Sequence, residues 1–290
     1  MQYKLLVLGA TGMAGHTISM YMHERGHDVT GFDTRPVTHC GCKSVVGDAR
    51  NTDGLKNLII EGEFDAVINC IGILNQFAEE KKALAVFLNS YLPHSLADIT
   101  SGTKTKIIHM STDCVFSGRK GEYTENDFRD GETFYDRTKA LGELEDDKNL
   151  TLRNSIVGPD LNPNGIGLLN WFMHQTGTIS GYTKVMWTGL TTLQLAKAME
   201  AGLDQDAHGL YNMVYKEPIS KHDLLCLFNK YLRGGNVEIT ASDKAVSDKS
   251  LKRTRFDFNY IIPDYERMVS DLADWMRAHR ALYPHYDIAG

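Results

Sequence analysis

Residues 4–15, KLLVLGATGMAG, constrain the fold more than any other stretch of the chain. Leu5, Leu6, Val7 and Leu8 form an unbroken apolar run that stops at a glycine. Such a run reads as a strand covered on both faces, the condition of a strand inside a parallel sheet. Gly9, Gly12 and Gly15 then recur at three-residue intervals, with Thr11 and Met13 between them. The first glycine permits a sharp turn, the second lets backbone approach a pyrophosphate, and the third lets a helix pack close to the strand. That helix is expected to run to about Arg25. Its first N–H groups are unpaired and carry partial positive charge, which suits a phosphate. The spacing is GxxGxxG and not GxGxxG, so the placement between strand and helix, more than the glycines alone, points to a dinucleotide.

Further strands are expected at Asp28–Phe32, Ser44–Val46, Phe64–Cys70, Lys106–Ser111 and Leu150–Arg153, with a helix over Glu79–Ile99. Asp33 follows the second strand, where a carboxylate accepts hydrogen bonds from an adenine ribose. This favours NAD, while Arg35, suited to a 2′-phosphate, keeps NADP open. Asp48 and Ala49 follow the third strand, with Asp48 placed for the adenine amino group. Cys70, Ile71 and Gly72 end the fourth, where small residues let a cofactor lie close. Thr112 and Asp113 end the fifth.

Strands alternating with helices indicate an α/β protein with a Rossmann-type doubly wound parallel sheet of about seven strands. The candidate residues all fall at carboxyl ends of strands, the edge where open α/β sheets bind ligands. Strict alternation stops after Pro159. Residues 1–155 are therefore expected to form the NAD(P)-binding part, and 156–290 mainly a smaller mixed substrate-binding lobe. The segment near 180–214 is expected to return to the sheet. Helices are anticipated at 168–174, 191–203, 220–232 and 264–281, with strands at 209–214 and 236–240.

Thr112, Tyr135 and Lys139 are the residues suited to chemistry. A hydride carrier that reduces a ketone needs an acid for the new alkoxide. Tyr135 and Lys139 lie four apart, on one face of the expected helix over 134–145. A lysine ammonium there is expected to lower the phenol's pKa, and also to bond the nicotinamide ribose. Thr112 is suited to hold the carbonyl oxygen, and Asn89 to tether a water for proton relay.

Composition narrows the class. A net charge of −6 without a basic block argues against nucleic acid. No apolar run reaches the roughly 20 residues of a membrane span. Glycines interrupt the first apolar run too early for a signal peptide, so a cytoplasmic location is expected. Five scattered cysteines read as reduced thiols. His39, Cys40 and Cys42 lack a second ligand pair, so no metal is expected.

GATGMAG, Asp33, STDCVFSG (Ser111–Gly118) and YDRTK (Tyr135–Lys139) together resemble the extended short-chain dehydrogenase/reductases. STDCVFSG with TKALGE is most similar to the dTDP-4-dehydrorhamnose reductase group. The resemblance spans the chain but is dense in motifs only to about Pro159. It implies Thr112, Tyr135 and Lys139 as catalytic residues and a nicotinamide cofactor. It also implies reduction of the keto group of a nucleotide-activated sugar, for cell-surface polysaccharide precursors, and a possible homodimer. Three positions depart from the pattern: Cys114 replaces Tyr, Asp136 replaces Gly, and no Pro precedes Tyr135. Asp113, Asn154, Asn170, Trp187, Lys252 and Arg253 are candidate substrate contacts; Lys252–Arg255 is the densest basic cluster and suits a diphosphate. Two alternatives remain: a nucleotide-sugar epimerase with retained NAD, and a non-catalytic cofactor-binding regulatory subunit. Dehydration ranks lower, because no Glu follows Asp113.

Overall fold

The computed structural model describes residues 1–290. Its elements are β1 (Lys4–Leu8), α1 (Met13–Glu24), β2 (Asp28–Asp33), β3 (Lys43–Val46), α2 (Thr52–Gly62), β4 (Ala66–Asn69), α3 (Asn75–Glu80), α4 (Lys82–Ala85), α5 (Leu92–Ile99), β5 (Lys106–Ser111), α6 (Phe134–Leu141) and β6 (Leu150–Arg153). There follow β7 (Ser155–Val157), α7 (Leu168–Met173), β8 (Thr178–Trp187), β9 (Gly189–Thr191), α8 (Thr192–Asp204), β10 (Gly209–Asn212), β11 (Ile219–Ser220), α9 (Lys221–Leu232), β12 (Glu238–Asp248) and α10 (Tyr265–Ala278).

Seven strands form one sheet in the order β10-β6-β5-β4-β1-β2-β3, and every pairing in it is parallel. The order runs outward from β1 in both directions, so the switch point lies between β1 and β4, and a crevice opens there at the strand ends. This is the Rossmann-type architecture expected from the sequence. Side chains alternate across the pleat. Leu5 and Val7 enter a large core with α1, α8, α9 and α10, while Leu6 and Leu8 pack with α2 and α5 on the other face. Burial on both faces is why β1 reads as a continuous apolar run.

Several elements differ from the sequence-based expectation. The helix expected over 79–99 is divided into α3, α4, a π-helical segment over Val86–Tyr91, and α5. Helix α2, capped by the Asn51 side chain on Gly54 N, had no counterpart in the reading. Strand β8 was not anticipated, and β12 runs to Asp248 rather than Thr240. These two strands pair with each other, with β11 on the far side of β8. They are largely exposed, so neither carries the apolar run that marks a buried strand. Cys40 and Cys42, read as free thiols, are bonded to each other across Gly41, whose φ of +67° folds the chain back.

Candidate active site

The glycine turn is closed by the end of β2. Gly9 N and Ala10 N donate to Phe32 O at 2.9 and 3.2 Å, and Gly9 holds φ +77°. Gly15 is set by contact: a Cβ there would lie 2.0 Å from Gly9 O. Asp33 also closes the turn. Its Oδ2 accepts from Thr11 N and Oγ1, both at 2.9 Å, and its Oδ1 from Thr34 N at 2.7 Å. Arg35 reaches over the same turn to Thr11 Oγ1 at 3.2 Å. Asp48 is bound by the Arg50 guanidinium, at 2.9 Å to Nε, and Ala49 is buried in the core between the sheet and α2.

A cleft of about 390 Å³ opens at the switch point. Gly12, Met13, Cys70, Ile71 and Gly72 line one side, and Thr112, Asp113, Cys114, Tyr135, Lys139 and Asn154 the other. Tyr135 and Lys139 come from α6, whose start is specified by a capping box. Thr133 Oγ1 accepts from Asp136 N at 3.1 Å, and the Asp136 carboxylate accepts from Thr133 N at 3.2 Å. Asp136, a departure from the family pattern, thus holds the helix start that presents Tyr135. Thr112 caps the single turn Asp113–Val115, accepting from Cys114 N and donating to Asp113 Oδ1, each at 3.1 Å.

Burial governs the charges in this cleft. It raises the Tyr135 phenol well above its usual value; Cys114 and the nearby carboxylates add to this, and the Thr112 hydrogen bond only partly opposes it. The sequence spacing suggests that Lys139 lowers this pKa. Lys139 instead donates to Met110 O at 2.6 Å, and Tyr135 is a protonated acid across the neutral range. Burial lowers Lys139 from 10.5 to about 8, with Glu143 opposing. Burial also raises Asp113, against the pull of Lys221 and Lys249.

Asn89 does not stand free to hold a relay water. Its Nδ2 donates to Ile73 O at 3.0 Å and Thr138 Oγ1 at 3.1 Å, and its Oδ1 accepts from Ile73 N at 3.0 Å. Both amide hydrogens are therefore used. The π-helical segment produces this contact: its extra residue per turn turns Asn89 and Ser90 toward α6, and Ser90 Oγ donates to Thr138 O at 2.7 Å. Gly142 lets α6 end there, since a Cβ would meet Asn89 O at 1.9 Å.

The expected substrate contacts separate into two groups. Asp113 and Asn154 line the cleft. Asn170 instead braces the loop over 163–167, donating to Gly165 O at 2.6 Å and accepting from Tyr286. Trp187 is buried against Tyr265. Arg253 turns inward onto the carbonyls of Arg255, Phe258 and Tyr260, and Lys252 is exposed beside Glu122. The basic cluster therefore folds its own loop, because buried carbonyls need donors. Two lysines not expected from the sequence stand near the cleft: Lys221, which starts α9 with its ammonium 5.8 Å from the Trp187 ring, and Lys249, 3.9 Å from Asp136. Only the folding of β12 and α9 against the strand ends brings them to Asp113.

A glycine turn at the head of a doubly wound parallel sheet, facing a buried hydroxyl, phenol and amine across a strand-end cleft, defines a protein of Rossmann-type architecture with its candidate site at the switch point. The chain belongs to the RmlD substrate binding domain family, which matches residues 3–166. It is 32% identical over 141 residues to a Haloferax volcanii protein described as "Probable low-salt glycan biosynthesis reductase Agl14", covering 47% of this chain and 46% of that one. It is 29% identical over 146 residues to the dTDP-4-dehydrorhamnose reductase of Mycolicibacterium smegmatis, covering 49% and 41%. These matches span less than half of either relative. In fold, the chain superposes on the dTDP-4-dehydrorhamnose reductase of Bacillus anthracis in complex with NADP. The TM-score is 0.76 at 17% identity, covering 94% of this chain and 99% of that one.

Proposed function

We propose that the protein is an NAD(P)-dependent reductase acting on the keto group of a nucleotide-activated sugar, of the dTDP-4-dehydrorhamnose reductase kind and the short-chain dehydrogenase/reductase type. The observation that carries this reading is the convergence of Thr112, Tyr135 and Lys139 with the glycine turn on one buried cleft. The turn and the start of α1 suit the pyrophosphate, Cys70–Gly72 the ring at the strand ends, and Lys139 the nicotinamide ribose. A reduced nicotinamide held there would supply the hydride that the carbonyl carbon accepts. Thr112, its hydroxyl turned from Asp113 toward the substrate, orients the carbonyl oxygen. Tyr135, protonated in its buried site, donates its phenolic proton to that oxygen as the alkoxide forms. Lys139 holds a positive charge beside the developing negative charge. Residues 1–155 act as the cofactor half, joined from the expected returning segment by α8 and β10 but not by β8, which pairs in the smaller sheet; the rest of 156–290 acts mainly as the substrate lobe.

The test is loss of reduced-nicotinamide absorbance with a panel of 4-keto nucleotide sugars. One sugar is expected to be consumed, and Tyr135→Phe to lower kcat by about 10²-fold or more. Equal activity of Tyr135→Phe and parent would refute the assignment. Interconversion of sugar epimers without net cofactor consumption would replace the reductase by an epimerase.

A further inference from the structure

One buried carboxylate next to this cleft has no part in the chemistry above. Glu143 follows α6, one turn beyond Lys139 and two beyond Tyr135. Its side chain is only 1% exposed, yet it accepts four hydrogen bonds. Ser111 Oγ donates at 2.5 Å, Arg153 Nε and Nη2 at 2.7 Å each, and Arg129 Nε at 2.7 Å. Arg153 is fully buried, lies over the Phe116 ring at 5.1 Å, and donates its remaining arm to Asn212 Oδ1 at 3.2 Å. The ends of β5 and β6 therefore meet the end of α6 at one carboxylate, and the end of β10 joins them through Arg153. Ser111 directly precedes Thr112, so the two elements that carry the reacting residues, the end of β5 and α6, are joined through Glu143.

The charges around Lys139 make this contact functional as well as structural. Lys139 faces Glu143 beyond its own helix, Cys70 at the end of β4, His109 on β5, and Tyr135 within the cleft. Burial raises the Cys70 thiol to about 12, raises the Tyr135 phenol and lowers His109 far below neutrality, so these three are uncharged near pH 7. Burial pushes the Glu143 carboxyl up, but Arg153, Ser111 and Arg129 more than offset it and hold it ionised. Glu143 is thus the anion of this group, itself moderated by Arg153 and Arg129.

We propose that Glu143 is a positioning residue of the cleft: it ties the end of the helix bearing Tyr135 and Lys139 to the strand end bearing Thr112, and supplies the negative charge that faces Lys139. The proposal deepens the reductase reading, and its test does not depend on turnover. The test is an NMR titration of lysine labelled with carbon-13 at Cε, with Lys139 assigned by its absence in Lys139→Met. In Glu143→Gln the Lys139 midpoint is expected to fall by about one pH unit, a tenfold change in its proton affinity, because an opposing charge is lost. In Arg129→Gln it is expected to rise, because Glu143 loses a cation that moderates it. Arg129 is a quarter exposed, so this second variant remains informative if Glu143→Gln does not fold. In the active enzyme the alkaline limb of kcat/KM is expected to move with the midpoint. A Lys139 midpoint unmoved in the folded variants, or a rate limb that stays put while the midpoint moves, overturns the proposal. Opposite shifts in the two variants, with a wild type that reduces no keto sugar, support the proposal and count against the reductase.

Discussion

Replacing Lys139 by Met should change the pH dependence of stability in a defined direction. Lys139 titrates near 10.5 when solvated and at about 8 in the fold, because burial disfavours the ammonium. At about 1.4 kcal/mol per pH unit, the buried ammonium costs on the order of 3 kcal/mol near pH 7. The sign follows from proton counting. Between about 8 and 10.5 the unfolded chain holds this proton and the folded one has released it, so unfolding takes up a proton and stability rises with pH. Above 10.5 the cost is gone; below about 8 it is fully present. Lys139→Met lacks this titration, and burial keeps the groups coupled to it, Cys70 and His109, uncharged from about pH 7 to about pH 10. Its stability relative to the parent should therefore fall by about 2 kcal/mol between about pH 7 and about pH 10. Urea unfolding of both proteins at both pH values measures this difference of differences. A value below about 0.5 kcal/mol would show that Lys139 is solvated, and would remove the basis for its charge in the cleft. The same variant should lose activity, so the ammonium is kept at the expense of stability.

Two further outcomes are expected. Gly15→Ala would place a methyl 2.0 Å from Gly9 O, a backbone atom that cannot swing aside, and should lose about 2–4 kcal/mol in urea unfolding together with cofactor binding. Gly102→Ala, with φ +74° but open space around it, should lose only about 1 kcal/mol, and equal effects of the two would refute the packing role of Gly15. On the cofactor, NADH should bind more tightly than NADPH, because the Asp33 carboxylate stands at the end of β2 where a 2′-phosphate would be repelled. Asp33→Ser should narrow or invert that preference in fluorescence titrations, and a wild type that prefers NADPH would refute it.

What was legible in the sequence was local. A strand buried on both faces must be continuously apolar, so β1 is read directly from Leu5–Leu8. Tyr135 and Lys139 share a helix face because helical geometry brings residues four apart together. Neither statement needs knowledge of the rest of the chain. The buried strands of the main sheet were found for the same reason; β8 was missed and β12 expected only over 236–240 for the converse reason: their order comes from pairing across about sixty residues rather than from a local apolar pattern. The break in the helix over 79–99 was also hidden, because a π-helical segment leaves the composition of a helix intact.

The sequence by itself therefore determined the sheet, the glycine turn and the identity of the reacting groups, since each rests on a short-range period or a steric requirement of a few residues. Tertiary structure decided what those groups face. It turned Arg253 inward to buried carbonyls and spent Asn89 on clamping α6. It brought Lys221 and Lys249 to Asp113, and Arg153 to Glu143. Charges and hydrogen bonds act over a few ångströms between residues far apart in the chain, and those distances exist only once the layers have packed.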